Sequence, residues 1–145
     1  MVRRGVRLAT AAVAFAAFAI ALGGCGGDKK VPDPEAAGKA VTAFTKAFST
    51  GDGAKACDLL TPAARAAFLK RTHELAPTTE CAAAMKKVHD LAGDSVTQPL
   101  GSATVSDVKV AGATATARLT ASGHATAVYL SKQNGEWKLN GVPGI

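Results

Sequence analysis

Apolar and polar positions follow two different periods along this chain of 145 residues, and the change falls near Gly101. Up to Gly93 the apolar residues recur every three or four positions, the spacing of one helix face. In the first such stretch, residues 34–49, Ala37, Val41, Phe44 and Phe48 share one face while Lys39, Thr42 and Lys46 take the other. Asp33 is a good N-cap, and Pro34 suits the first helical position, where its missing N–H is no loss. Gly51-Asp52-Gly53 ends that helix. A short second helix over residues 54–60 carries Cys57 and Leu60 on one side. Thr61-Pro62 repeats the cap-and-proline signature and opens a third helix through Phe68 and Leu69 to about His73, broken by Ala76-Pro77. A fourth starts near Thr79 with Glu80 in its first turn, favourable to the helix dipole. Its spacing predicts that Cys81, Ala84, Met85, Val88 and Leu91 are buried before Gly93 stops it.

Beyond Gly101 the period is two. Val108 and Val110 flank Lys109, and Ala113, Ala115, Ala117 and Leu119 alternate with Thr114, Thr116, Arg118 and Thr120. Ser122-Gly123 turns the chain into a third strand over residues 125–132, and Asn134-Gly135 is a strong hairpin signal. A two-residue loop there sets Gln133 opposite Glu136 and Leu130 opposite Leu139. Val128, Leu130, Trp137 and Leu139 then share one face, with Tyr129, Ser131, Lys138 and Asn140 on the other, so turn register and apolar pattern agree. Helices followed by an antiparallel meander predict an α+β fold, with the N-terminal helices packed on a four-stranded sheet.

The first 24 residues read differently. Arg3, Arg4 and Arg7 precede a run from Leu8 to Leu22 in which only Thr10 is polar. A spanning helix needs roughly 20 apolar residues, so this shorter run suits a signal peptide. It ends in Leu22-Gly23-Gly24-Cys25, which resembles the bacterial lipobox, a Leu three residues before a Cys with small residues between. That resemblance implies that residues 1–24 are removed, that Cys25 carries the lipid, and that residues 25–33 are a polar, turn-rich tether ahead of a domain over 34–145. Two or three acyl chains at one Cys hold a protein to a membrane far more firmly than one chain. The expected location is the cell membrane, lipid-anchored, on its extracytoplasmic face.

Composition narrows the chemistry. The chain has 17 Lys+Arg and 11 Asp+Glu. Three of the cations fall in the leader, so the mature balance is 14 − 11, or +3, too mild to argue for nucleic acid. With Cys25 used by lipid, Cys57 and Cys81 remain, and an even number in an exported chain reads as one disulfide. The rival reading is a metal site built from both cysteines and two of His73, His89 and His124, but zinc ligands usually come in close pairs and these do not. Each histidine alone reads as a surface residue, and Glu74 and Glu80 as solvated or helix-terminal charges. No nucleophile elbow, phosphate-cradling loop or paired carboxylates on a helix face occur, so no catalytic residue, metal or other cofactor is expected.

Several segments together resemble the NTF2-like (SnoaL-like, cystatin-like) domains of actinobacterial lipoproteins. These are Gly51-Asp52-Gly53-Ala54, Ala56-Cys57-Asp58-Leu59-Leu60-Thr61-Pro62, the second cysteine in Cys81-Ala82-Ala83-Ala84, Val105-Ser106-Asp107-Val108, and Asn134-Gly135-Glu136-Trp137-Lys138-Leu139. The resemblance spans about residues 34–142 and implies a curved sheet wrapped around helices, a cone that can enclose a pocket. That fold hosts enzymes, ligand binders and interaction modules alike. Its isomerase branch needs a buried Asp base and a Tyr-based oxyanion hole. Here the sole tyrosine, Tyr129, falls on the face away from the core, and Asp107 sits beside an expected bulge. Phe44, Phe48, Phe68, Met85, Val128, Leu130 and Trp137 either line an apolar pocket or simply fill the core, with core filling favoured. The expected function is a non-enzymatic, membrane-tethered module that binds a small apolar ligand or an envelope protein; the alternative is a small isomerase or hydratase using the cone.

Overall fold

The computed structural model describes residues 33–145, so the leader, Cys25 and the tether up to residue 32 lie outside the described residues. Five helices come first: α1 (Asp33–Ser49), α2 (Gly53–Asp58), α3 (Pro62–Thr72), α4 (Cys81–Ala92) and α5 (Asp94–Gly101). Four strands follow: β1 (Thr104–Ala111), β2 (Thr114–Ala121), β3 (His124–Gln133) and β4 (Glu136–Leu139). They form one open antiparallel sheet in the order β1-β2-β3-β4. The α+β architecture read from the sequence is the one observed.

The core is the space between α1 and the inner sheet face. Ala37, Val41, Phe44 and Phe48 of α1 are all buried, as are Ala115, Ala117 and Leu119 of β2, Val128 and Leu130 of β3, and Trp137 and Leu139 of β4. The hairpin pairs Leu130 with Leu139 and Gln133 with Glu136, the register expected from the turn. Asn134 and Gly135 both adopt positive φ, 51° and 86°, as a two-residue turn of this hand requires. On the outer face Tyr129 is 60% exposed.

In β1 the alternation is broken. The pairing with β2 slips between Ser106 and Lys109, so Asp107 and Val108 together face Ala117, and Asp107 has φ 50°. This bulge changes the parity of the strand, which lets Val105, Val108 and Val110 all pack against the core. Gly38 of α1 sits where an added Cβ would lie 3.5 Å from Val108, so helix and strand approach closely there.

The small helices are held by different devices. The Thr61 hydroxyl accepts from the backbone N–H of Ala64 and caps α3, as its sequence position predicts. Asp52 caps α2 by accepting from the N–H of Lys55. Cys57 and Cys81 form a disulfide that joins α2 to α4. The same two helices touch at Gly53, where a Cβ would stand only 2.2 Å from the carbonyl oxygen of Ala82, so no larger residue fits without displacing backbone.

Three sequence expectations change. Helix α4 begins at Cys81 with Glu80 as its N-cap residue, and Leu91 is 57% exposed. The inward stripe of Cys81, Ala84, Met85 and Val88 continues to Ala92, four residues past Val88, which turns Leu91 outward. Asp33, expected as the N-cap residue ahead of the first helix, lies within α1. Residues 94–101, which show no sustained apolar period, form α5.

Candidate functional site: an apolar pocket at the end of α1

The last two turns of α1 project Phe44 and Phe48 toward the sheet, but their far sides are not covered by strand residues. They face α4 and α5, and an open-mouthed pocket of about 420 Å³ remains between them. Val88 and Ala92 of α4 form one wall, and Val96, Pro99 and Leu100 of α5 a second. The β2–β3 turn at Ala121 and Ser122 and the segment Val142-Pro143-Gly144-Ile145 close the rest. The volume lies in the range of sites for small organic ligands. Val96 and Ile145, 47% and 43% exposed, place apolar side chains at the mouth.

No residue on this wall carries a titratable side chain, and its polar side chains are Thr45, Ser95 and Ser122. The Thr45 hydroxyl donates to the carbonyl of Thr42 within its own helix, 3.0 Å away, so it is already engaged. The wall thus offers mostly apolar contact, interrupted by the hydroxyls of Thr45, Ser95 and Ser122.

Behind Phe48 the wall is braced by His89. The two rings meet edge to face, with centroids 6.0 Å apart at 77°. Nε2 of His89 lies 3.3 Å from the carbonyl oxygen of Ser49 at the end of α1, and Nδ1 lies 3.1 Å from Oδ1 of Asp90. Lys86 also grips Asp90 at 2.9 Å. The hydrogen bonds from Lys86 and then His89 hold the Asp90 carboxyl below its ordinary range. His89 is therefore a half-buried strut between α4 and α1, which corrects its reading as a surface residue; His73 and His124 are exposed.

Of the seven residues proposed from the sequence as pocket lining, Phe44 and Phe48 line this pocket. Phe68, Met85, Val128, Leu130 and Trp137 lie elsewhere, each 5% exposed or less, filling the core. The pocket opens at one end of α1 because α5 and the C-terminal segment, neither anticipated, frame it there. A signal was present: Val96 and Leu100 are four residues apart behind Asp94, a helical spacing that Pro99 obscures.

The other candidates are separated from the pocket. Asp107 points outward and accepts from Nε of Arg118 at 2.9 Å, and Tyr129 is on the outer face, so the two do not form an acid–base pair in a cavity. Glu74 and Glu80 are exposed. Cys57 and Cys81 are bonded to each other, and among the described residues no group of three or more His, Cys, Asp or Glu is gathered to hold a metal. No helix among the described residues is long and apolar enough to cross a membrane. No protein-family model matches this chain, and neither does any curated protein or solved structure.

Proposed function

We propose that this protein is an exported lipoprotein, tethered to the extracytoplasmic face of the cell membrane through Cys25, whose NTF2-like domain binds a small apolar molecule at the end of α1. The observation that carries the binding half is the pocket itself: about 420 Å³, walled by Phe44, Phe48, Val88, Val96 and Leu100, and lacking any titratable side chain. An apolar solute gains about 25 cal/mol for each Å² of surface it withdraws from water, and no charged side chain on this wall needs desolvating to admit it. The leader supports the tether, since cationic segment, apolar run and Leu22-Gly23-Gly24-Cys25 occur in the order that lipid attachment requires. The meander sheet packed on α1 supports the NTF2-like reading, and the largely apolar wall favours binding over catalysis.

The test is titration of the protein with a neutral naphthylamine dye that fluoresces in apolar surroundings. Saturable binding at one site is expected, and Val96→Trp, which places an indole across the mouth, should remove it while leaving the thermal transition in place. Equal dye affinity in that variant, with the fold intact, overturns the assignment of the pocket.

A further inference from the structure

Helix α4 ends beside the end of α1, and His89 stands between them. Its ring faces two oxygens that only accept: Nε2 lies 3.3 Å from the carbonyl oxygen of Ser49, and Nδ1 lies 3.1 Å from Oδ1 of Asp90. Ser49 is the last residue of α1, where carbonyls lack partners within the helix. The backbone donors that follow pass it by, since Thr50 donates to Lys46, Gly51 to Phe48, Asp52 to Ala47 and Gly53 to Gly51. The ring is also confined. It meets Phe48 edge to face, and a Cβ at Gly51 would lie 3.3 Å from it. With 24% of its side chain exposed, it still exchanges protons with solvent.

An imidazolium has two N–H groups and a neutral imidazole has one. Protonated, His89 donates to both acceptors; neutral, it turns one nitrogen lone pair against an oxygen. The carboxylate is the stronger acceptor, because hydrogen bonds to an ionised group are roughly twice as strong as neutral ones. The proton of the neutral ring therefore stays toward Asp90, and the bond given up is the one to Ser49, which joins α4 to α1. Charged groups on the neighbouring elements do not replace it. Lys46 of α1, Lys55 of α2 and Asp94 of α5 are exposed, Lys86 is engaged with Asp90, and Asp52 caps α2. Among the described residues, Asp90 is the carboxylate paired with the ring.

We infer that His89 is a pH-sensitive strut of the apolar pocket, on the reading that this pocket holds a ligand. The protonated ring fixes α4 against the end of α1. Loss of the proton releases Ser49, loosens Phe48 and Val88 on the wall, and weakens binding there. Histidine is the side chain whose ordinary charge change falls between about pH 5 and 8.

The protein is titrated with the neutral naphthylamine dye at about pH 5.5 and about pH 8. The parent is expected to bind roughly twofold to tenfold more tightly at the lower pH, the scale of one hydrogen bond. His89→Gln, which does not titrate, should bind equally at both, while His73→Gln and His124→Gln, at exposed rings, should keep the parent's dependence. The melting temperature without dye reads the strut apart from the pocket. The parent should exceed His89→Gln by more at the lower pH, because the bond to Ser49 is present there and is lost as the pH rises. A chain that keeps His89 guards against misfolding of that variant: in His73→Gln/His124→Gln the one remaining histidine ring should titrate at higher pH with dye bound than without, since linkage is reciprocal. Equal dye affinity of the parent at the two pH values, the same dependence in His89→Gln, or an unmoved ring midpoint overturns the inference and leaves the pocket standing. No dye bound at either pH removes the pocket, and its regulation with it, even where the melting temperatures keep the strut.

Discussion

Leu60 runs beside Leu139 as an isolated parallel bridge: the N–H of Leu139 donates to the carbonyl of Leu59 at 2.8 Å, and the N–H of Thr61 donates to the carbonyl of Leu139 at 2.9 Å. The junction between α2 and α3 thereby covers the edge of β4 that would otherwise present unpaired backbone groups. Both leucines are essentially inaccessible to solvent. Leu60→Ala should cost about 2–5 kcal/mol through lost burial and an unfilled cavity, measured from urea unfolding midpoints. A loss below about 1 kcal/mol would show that the bridge does not hold the helical layer to the sheet.

The disulfide between Cys57 and Cys81, 24 residues apart in sequence, should contribute about 3.5 kcal/mol by limiting the unfolded chain. The double variant Cys57→Ala/Cys81→Ala is expected to unfold at lower urea and to be insensitive to reductant. The parent should fall to nearly the same midpoint when dithiothreitol is added. A parent midpoint unmoved by reduction would argue that α2 and α4 are held by packing alone, Gly53 against Ala82 above all.

Acid should destabilise the fold through two surface carboxylates. Hydrogen bonds from Lys86 and His89 hold Asp90 below its ordinary range, and the hydrogen bond from Lys138 does the same for Glu136. As the pH falls, the unfolded chain therefore takes up these protons first. The contribution of each group is complete above its unfolded pKa and is lost as the pH drops through the lower folded value, below about pH 5. Asp90→Asn together with Glu136→Gln should flatten that limb of a plot of melting temperature against pH. Identical acid limbs for parent and variant would refute the linkage.

For the tether, Cys25→Ala should abolish acylation and leave the leader uncleaved, read as precursor mass by intact-protein spectrometry after expression in a lipoprotein-processing host. Unchanged processing and membrane retention in that variant would refute lipid attachment at Cys25.

The parts of this fold that were legible in the sequence are those governed by local rules. Thr61-Pro62 announces α3 because a hydroxyl cap and a proline each satisfy a specific vacancy at a helix start. Asn134-Gly135 announces the register of β3 with β4 because only a turn with positive φ at both positions joins them in two residues. Helix α5 was hidden because Pro99 sits inside it, where a proline removes one i→i−4 hydrogen bond and ordinarily marks a helix boundary. The bulge expected beside Asp107 is present, and it is what turns Val105 inward, since strict alternation from Val108 would place that residue on the outer face. The pocket was only partly legible for a related reason. Phe44 and Phe48 were identifiable by helical spacing, but the residues opposite them arrive from α5 and from Val142 to Ile145, and such long-range meetings leave no mark in a periodic pattern.

The ion pair between Lys132 and Asp33, 2.6 Å long, fastens the first turn of α1 to the β3–β4 end of the sheet. Phe44 and Phe48 lie 11 to 15 residues further along that helix, which at its ordinary rise is roughly 20 Å away. The pocket therefore opens at the end of α1 away from Asp33, the first described residue, so the Lys132 clamp and the pocket occupy opposite ends of one helix and a change at either can be read without disturbing the other.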